Sequence, residues 1–201
     1  MAAFDYTTPT SVFAFGASVG TATDPVNEAN VMASLVTGMS RAVDTYCNQA
    51  FSRATYAAQS LRALVDQDGV LSCYTPVPTI VSITAADYSS GALFTPLVTS
   101  ALDIEEHSFG CVVRTFGGSY GGLRGKRVSM RLSYSGGWAD LAAVPQDFEW
   151  AMRALCWWAY QKRSAPGDTT AIPELGVLIV PGNWPNYVRD MFKNYVRWVP
   201  M

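Results

Sequence analysis

The hydrophobic period changes twice along this chain, and those changes constrain the fold more than any other feature. From Asp24-Pro25 onward, Val31, Leu35, Met39, Ala42 and Tyr46 recur at steps of three and four, which places them on one helical face. From Arg53 to Tyr134 the pattern becomes short β-prone pieces separated by turn residues. Helical spacing returns at Pro145. The order helix, β-rich insert, helix, tail reads as an α+β chain. The expected fold is a helical bundle core with an antiparallel β-rich insertion between the first and second long helices, and an extended C-terminal segment.

The first helix is expected over residues 24–50. Asp24 can cap its free amides, and Pro25 suits the first helical position because its missing N–H had no partner there. The second is expected over 145–163, with Asp147 and Glu149 early and Lys162 and Arg163 late, the signs that suit the helix dipole. Phe148, Ala151, Met152, Leu155, Trp158 and Ala159 form its apolar stripe, widened by Trp150 and Trp157.

The insert, 53–134, contains β-prone pieces at 54–58, 70–74, 79–84, 101–105, 111–116 and 127–134. Asp68-Gly69 marks a hairpin turn. In the last piece Val128, Met130, Leu132 and Tyr134 alternate with Ser129, Arg131 and Ser133, the sign of a strand with one buried face. The glycine-rich run Gly117 to Arg127 before it reads as a flexible hairpin loop. Residues 1–22 read as a flexible N-terminal arm and 23–167 as one domain. Residues 168–201 read as a C-terminal docking segment, with a strand-like run at 175–180 and an amphipathic stretch from Asn186 to Trp198.

Composition narrows the function. Charged residues make up 15% of the chain, against about 25% in ordinary soluble domains. With 6 Trp, 10 Tyr and 9 Phe, much surface is suited to burial, part of it against other subunits. A net charge of −2 argues against a general nucleic-acid binder. No apolar run reaches the ~18 residues a membrane span needs. Residues 1–18 lack the basic region of a signal peptide, so an intracellular setting, or assembly inside a cell, is expected. Cys47, Cys73, Cys111 and Cys156 show neither a CxxC pair nor a zinc spacing and read as free, buried thiols.

Catalytic chemistry is poorly supplied. The single histidine, His107, follows Glu105-Glu106, and on a strand only Glu105 would share its face. No metal pattern occurs. Asp66-Gln67-Asp68-Gly69 lacks the later glutamate of a calcium loop. The glycine run has no following helix to aim amides at phosphate. No enzyme activity, cofactor or metal is expected.

One ordered set of residues is more specific. Tyr134, Gly136, Gly137 and Trp138 close a strand, Val144-Pro145 follows, and a helix with Ala151 on its inner face runs to Arg163. Upstream stand Leu35, Ala42, Val43 and Tyr46, then Cys47 to Phe51, and Pro76 to Ile83. Together these resemble the head–tail connector (adaptor, or head completion) proteins of tailed double-stranded DNA phages and gene-transfer particles. The resemblance runs from about residue 25 to the end. Gln49-Ala50 stands where family members often carry a basic residue before the Phe.

The resemblance implies a structural virion protein in the neck, assembled in the host cytoplasm. It implies a homo-oligomeric ring of about twelve copies in cyclic symmetry. The partners implied are the portal protein, a stopper or tail-terminator protein, and double-stranded DNA passing through the lumen without sequence specificity. No membrane partner is implied. Arg124, Lys126 and Arg127 are the candidates for the DNA channel, because their charges add when loops are repeated around a ring. Trp184, Tyr187, Arg189, Phe192, Lys193, Tyr195, Arg197 and Trp198 are the portal-contact candidates, large apolar groups rimmed by basic ones. Another ring-forming tail protein, such as a tail terminator, is the alternative, and a β-rich carbohydrate-binding module a more distant one.

Overall fold

The computed structural model describes residues 4–20, 25–91, 93–115, 120–162 and 184–197. They divide into two compact units: residues 49–139 with Arg197, and residues 4–48 with residues from 140 to 196.

The first unit is built on seven strands, β1 (Ala54–Val65), β2 (Leu71–Tyr74), β3 (Ile80–Ser89), β4 (Thr95–Pro96), β5 (Leu102–His107), β6 (Gly110–Thr115) and β7 (Arg127–Gly136). They form one sheet in the order β4-β3-β7-β1-β2-β6-β5, and every pairing is antiparallel. Alternation fixes its faces. Val128, Met130, Leu132 and Tyr134 of β7 are buried, as are Leu61, Ala63 and Val65 of β1, while the residues between them face outward or are partly covered. They join Leu71, Cys73, Val77, Ile80, Ala86, Cys111 and Val113 in one core. A slip of one residue would turn every inward group to water, at about 1.5–3 kcal/mol for each large side chain, so the register is strongly specified.

Two local devices shape the sheet. At the β1–β2 turn the Asp66 carboxylate accepts the Asp68 and Val70 amides at 2.9 and 2.8 Å. This Asx geometry makes the hairpin that Asp68-Gly69 signals. In β1 the register shifts between Tyr56 and Gln59. There Ala58 adopts a φ of 46°, and its amide donates to the Ser133 hydroxyl at 2.9 Å, as at a β-bulge.

This sheet overturns the expected helical bundle core with a β-rich insertion. Among the described residues a curled antiparallel seven-stranded sheet, a half-barrel, makes one unit, and the four α-helices belong to the other. The physical reason is the inward alternation of β7, β2 and the second half of β1, joined by buried groups of β3 and β6. Their apolar faces meet one another, so the segment has a core of its own rather than decorating a helical one.

The second unit holds α1 (Pro9–Ser18), α2 (Ala29–Cys47), α3 (Gln146–Lys162) and α4 (Asn186–Phe192), and α3 packs against the other three. Residues 9–18 are helical where a flexible arm was expected. The Thr8 hydroxyl caps the helix by accepting the Ser11 amide at 3.1 Å, and Pro9 opens it. Gly16 lets α1 approach α3, since a Cβ there would lie 2.5 Å from the Trp157 ring.

Helix α2 begins at Ala29 rather than in the first turn after Asp24, a residue outside the described ones. Its buried stripe is Met32, Leu35, Val36, Met39, Val43 and Cys47. Val31, expected inside, is exposed. Asn48 ends the helix in the left-handed conformation. In α3 the acidic first turn and Lys162 in the last turn are present, but Trp150 is exposed and Trp158 only partly buried. The expected strand at 175–180 and the expected last helical residue, Arg163, lie outside the described residues. The C-terminal segment is not extended throughout: α4 passes directly into a 3-10 turn, Lys193–Tyr195.

Candidate functional site

The strand exit after β7 is built from backbone constraints. Tyr134 is buried, donates its hydroxyl to the Gln59 side chain, and stacks on Tyr56 with ring centroids 4.7 Å apart. A Cβ on Gly136 would lie 2.6 Å from the Thr79 carbonyl oxygen. Gly137, at φ +101°, would place one 2.6 Å from that of Ser52. Both positions require glycine. Trp138 then packs on Phe51, in the segment leading into β1, at 4.9 Å. Asp140 accepts the Ala142 and Ala143 amides and forms a short 3-10 turn. The Pro145 carbonyl accepts the Glu149 amide at 2.9 Å as α3 begins. These groups hold the chain's path and supply no nucleophile or acid–base pair.

Arg124, Lys126 and Arg127 are all exposed. Their segment is tied to the end of β1, because Val65 donates to the Lys126 carbonyl at 3.1 Å and Gly125 donates to the Val65 carbonyl at 2.8 Å. Tyr120 is anchored too, its amide donating to Gly69 at 3.2 Å and its ring meeting Tyr88 edge-on at 5.1 Å. The described part of the glycine-rich run is therefore held against two hairpins; residues 117–119 lie outside the described residues. The three cations share one end of the sheet.

The portal-contact candidates separate into two groups. Trp184, Phe192 and Tyr195 are buried in their own unit. There Phe148 meets Phe192 and Tyr195 edge-on at 5.1 and 4.9 Å. The Tyr195 hydroxyl donates to both oxygens of the Asp147 carboxylate, at 2.8 and 2.9 Å. Burial, then that carboxylate, pushes the Tyr195 pKa up. Tyr187 and Lys193 are exposed and Arg189 is partly so. Arg189 donates to the Asn186 side chain, and Lys193 pairs with Asp190. Arg197 belongs to the sheet unit, where it donates to the Tyr74 carbonyl at 3.1 Å, and desolvation lowers its pKa. Trp198 lies outside the described residues.

The remaining titratable groups form no reactive constellation among the described residues. His107 lies 3.3 Å from Glu105, which also pairs with Arg114 at 3.0 Å. Glu106 faces away and accepts from Thr79. The four cysteines are free and buried, and burial pushes the Cys73 and Cys111 thiols up to about 12. No group of three metal-ligating side chains occurs among the described residues, and no described helix is long and apolar enough to cross a membrane.

Sequence reasoning passed over Arg62. It stands outward on β1, directly across from Ser129 and diagonal to Arg127. Its signal is the register between β1 and β7, which the sequence does not display.

No protein-family model matches the chain, and no curated protein matches it. Among solved structures it is similar to a chain from the neck of an empty GTA particle computed with C6 symmetry. That match has 16% identity and a TM-score of 0.47 over 100% of this chain and 98% of that one. A chain of the virion of a native gene transfer agent (GTA) particle gives 16% identity and a TM-score of 0.48 over the same shares. A chain from the neck of a native GTA particle computed with C12 symmetry gives 17% and 0.41, over 88% of this chain and 90% of that one.

Proposed function

We propose that this protein is a non-enzymatic structural subunit of a virion neck, a head–tail connector that assembles as a ring, docks on a portal protein and extends the DNA channel toward the tail. The observation that carries this reading is the strand exit. Tyr134, Gly136, Gly137 and Trp138, four residues of the connector-like motif, each have a structural task where the chain leaves β7. Apolar groups left outside support assembly as well. Leu93 and Val98, on either side of β4, are 85% and 69% exposed. Isolated exposed apolar residues are ordinary, but two beside an open sheet edge suit a subunit contact.

In this reading the loop cations line the lumen, and Tyr187, with Arg189 and Lys193, is the outward part of the portal contact. The partners are further copies of the chain, about twelve in cyclic symmetry, the portal, a stopper or tail-terminator ring, and duplex DNA held by its phosphates. The test is to purify the chain alone and with portal protein, and to average the particles by electron microscopy. Closed rings that bind the portal are the expected outcome. A chain that stays monomeric at high concentration and has no portal affinity refutes the proposal.

A further inference from the structure

The outward face of the sheet carries a pattern that the inward face does not need. Arg62 on β1 lies directly across from Ser129 on β7, and Ser60 directly across from Arg131. Arg114 on β6 lies across from Ser72 on β2. Each outward arginine of these strands, Arg127 excepted, therefore stands across from a serine, and the Ser72 hydroxyl itself donates to the Leu64 carbonyl at 3.4 Å. Arg127 lies across from Leu64, and Leu64 across from Ser72, so one row reads Arg127, Leu64, Ser72, Arg114 over four strands. Lys126 and Arg124 adjoin that row at the base of the loop.

Acidic groups occupy the two flanks of this face. Arg131 pairs with Asp87 at 3.3 Å and is further fixed over the Phe94 ring at 3.7 Å. Arg114 pairs with Glu105 at 3.0 Å. Arg62, in the middle, has no ion-pair partner among the described residues and is exposed. The flanking arginines are therefore paired with carboxylates, and Arg62 stands between them.

Arginine and serine side chains are the ordinary donors to phosphate oxygens, the first by charge and fork geometry and the second by a short hydroxyl. A rigid sheet holds them at fixed spacing, with diagonal neighbours about 7–8 Å apart. We infer that the outward face of β7, β1 and β2, centred on Arg62 and completed by Arg127, Ser129, Ser60 and Ser72, binds the phosphate backbone of double-stranded DNA. This rests on the connector reading and moves the contact from the loop onto the strands. The contact is independent of base sequence, because no side chain of this face needs to enter a groove.

The test uses the full chain, with a fluorescent 30-base-pair duplex as probe and anisotropy read over a salt series, while light scattering reports assembly separately. Arg62→Ser and Ser129→Asp are the variants. Ser129→Asp places a carboxylate opposite Arg62 without removing any cation. Lys162→Ser, at the end of α3, is the charge-matched control. The expected result is that Arg62→Ser weakens binding several-fold and makes the slope of log affinity against log salt shallower by about one. Ser129→Asp should weaken binding as well, with Lys162→Ser and the assembly state unchanged. Failure of the wild-type chain to bind the duplex, or unchanged affinity and slope in both variants while rings still form, overturns this inference and leaves the ring standing. Loss of rings in Ser129→Asp also overturns it, since the face would then be a contact between copies. A chain that binds DNA through Arg62 yet never forms a ring supports the surface and refutes the connector.

Discussion

The indole of Trp138 lies nearly flat on the ring of Phe51, centroids 4.9 Å apart and planes 20° from parallel. The Trp138 amide donates to the Phe51 carbonyl at 2.6 Å, and its own carbonyl accepts the Arg53 amide at 2.8 Å. The exit of β7 and the entry to β1 are thus clamped by stacking and by two backbone hydrogen bonds. Residues 87 positions apart in sequence (138 minus 51) meet here.

Trp138→Ala removes the stacked ring and opens a cavity beside Phe51, which is fully buried. The expected loss is about 3–5 kcal/mol. Gly137→Ala forces a side chain into a backbone conformation at φ +101° and a carbonyl 2.6 Å away, a cost of more than about 1 kcal/mol. Urea unfolding followed by tryptophan fluorescence checks both. A midpoint within error of wild type for either variant would show that the clamp contributes nothing.

A second close approach lies between helices. Gly16 faces the Trp157 ring, and an added methyl group would lie 2.5 Å from it. Trp157 is itself buried, so it has little room to turn away. Gly16→Ala is expected to cost about 1–3 kcal/mol as an overpacking substitution, read as a lower thermal midpoint. Gly38, whose added Cβ would meet nothing within 4 Å, is the contrast. Gly38→Ala should hold or raise stability, since α2 loses a poor helix former there.

The strand nature of β7 was plain from strict alternation, and the thiols were correctly read as buried. Helix α1 was legible in principle, through Thr8-Pro9 and Ser11, but its short length and small residues left no sustained apolar period. The α2 face was read one position off at Val31, because Met32 begins the buried stripe. The order of the sheet was not legible at all. β7 lies between β3 and β1, a pairing set by which apolar faces meet, and no local signal records it. That non-local closure gave the β-rich segment its own core and defeated the expected helical bundle. The same register hid Arg62, whose cross-strand neighbour Ser129 lies almost seventy positions away.

Stability should fall in alkali for an identifiable reason. Burial raises the thiols of Cys47, Cys73, Cys111 and Cys156 above their usual value of 9.0, with Cys73 and Cys111 at about 12. Burial likewise raises the Tyr134 and Tyr195 hydroxyls. A raised folded value means that the unfolded chain loses its protons first. The stabilisation is complete below about pH 9 and is lost as pH rises toward 12, each thiol contributing up to about 1.4 kcal/mol per pH unit in that window. Urea midpoints at pH 8 and pH 10 should differ accordingly. In native protein at pH 8, a chromogenic disulfide reagent should titrate none of the four thiols until denaturant is added. Rapid native labelling would contradict their burial.

The C-terminal helix allows folding and docking to be told apart. Phe192 is fully buried, with Phe148 edge-on at 5.1 Å and Trp184 tilted at 6.1 Å. Phe192→Ala should therefore cost about 3–5 kcal/mol in folding, and any effect it has on assembly is secondary to that loss. Tyr187, on the same short helix, is 52% exposed. Tyr187→Ala should change folding stability by no more than about 0.5 kcal/mol. If Tyr187 is an anchor for the portal, its truncation weakens portal binding by about thirtyfold, the factor corresponding to the ~2 kcal/mol of an interface hot spot. The variant is first shown to unfold at the wild-type urea midpoint and is then titrated against portal protein. Wild-type portal affinity in a normally folded Tyr187→Ala variant removes this helix from the docking surface. The exposed Leu93 and Val98 beside β4 then become the apolar groups to examine at that contact, because Trp184, Phe192 and Tyr195 are already enclosed by their own unit.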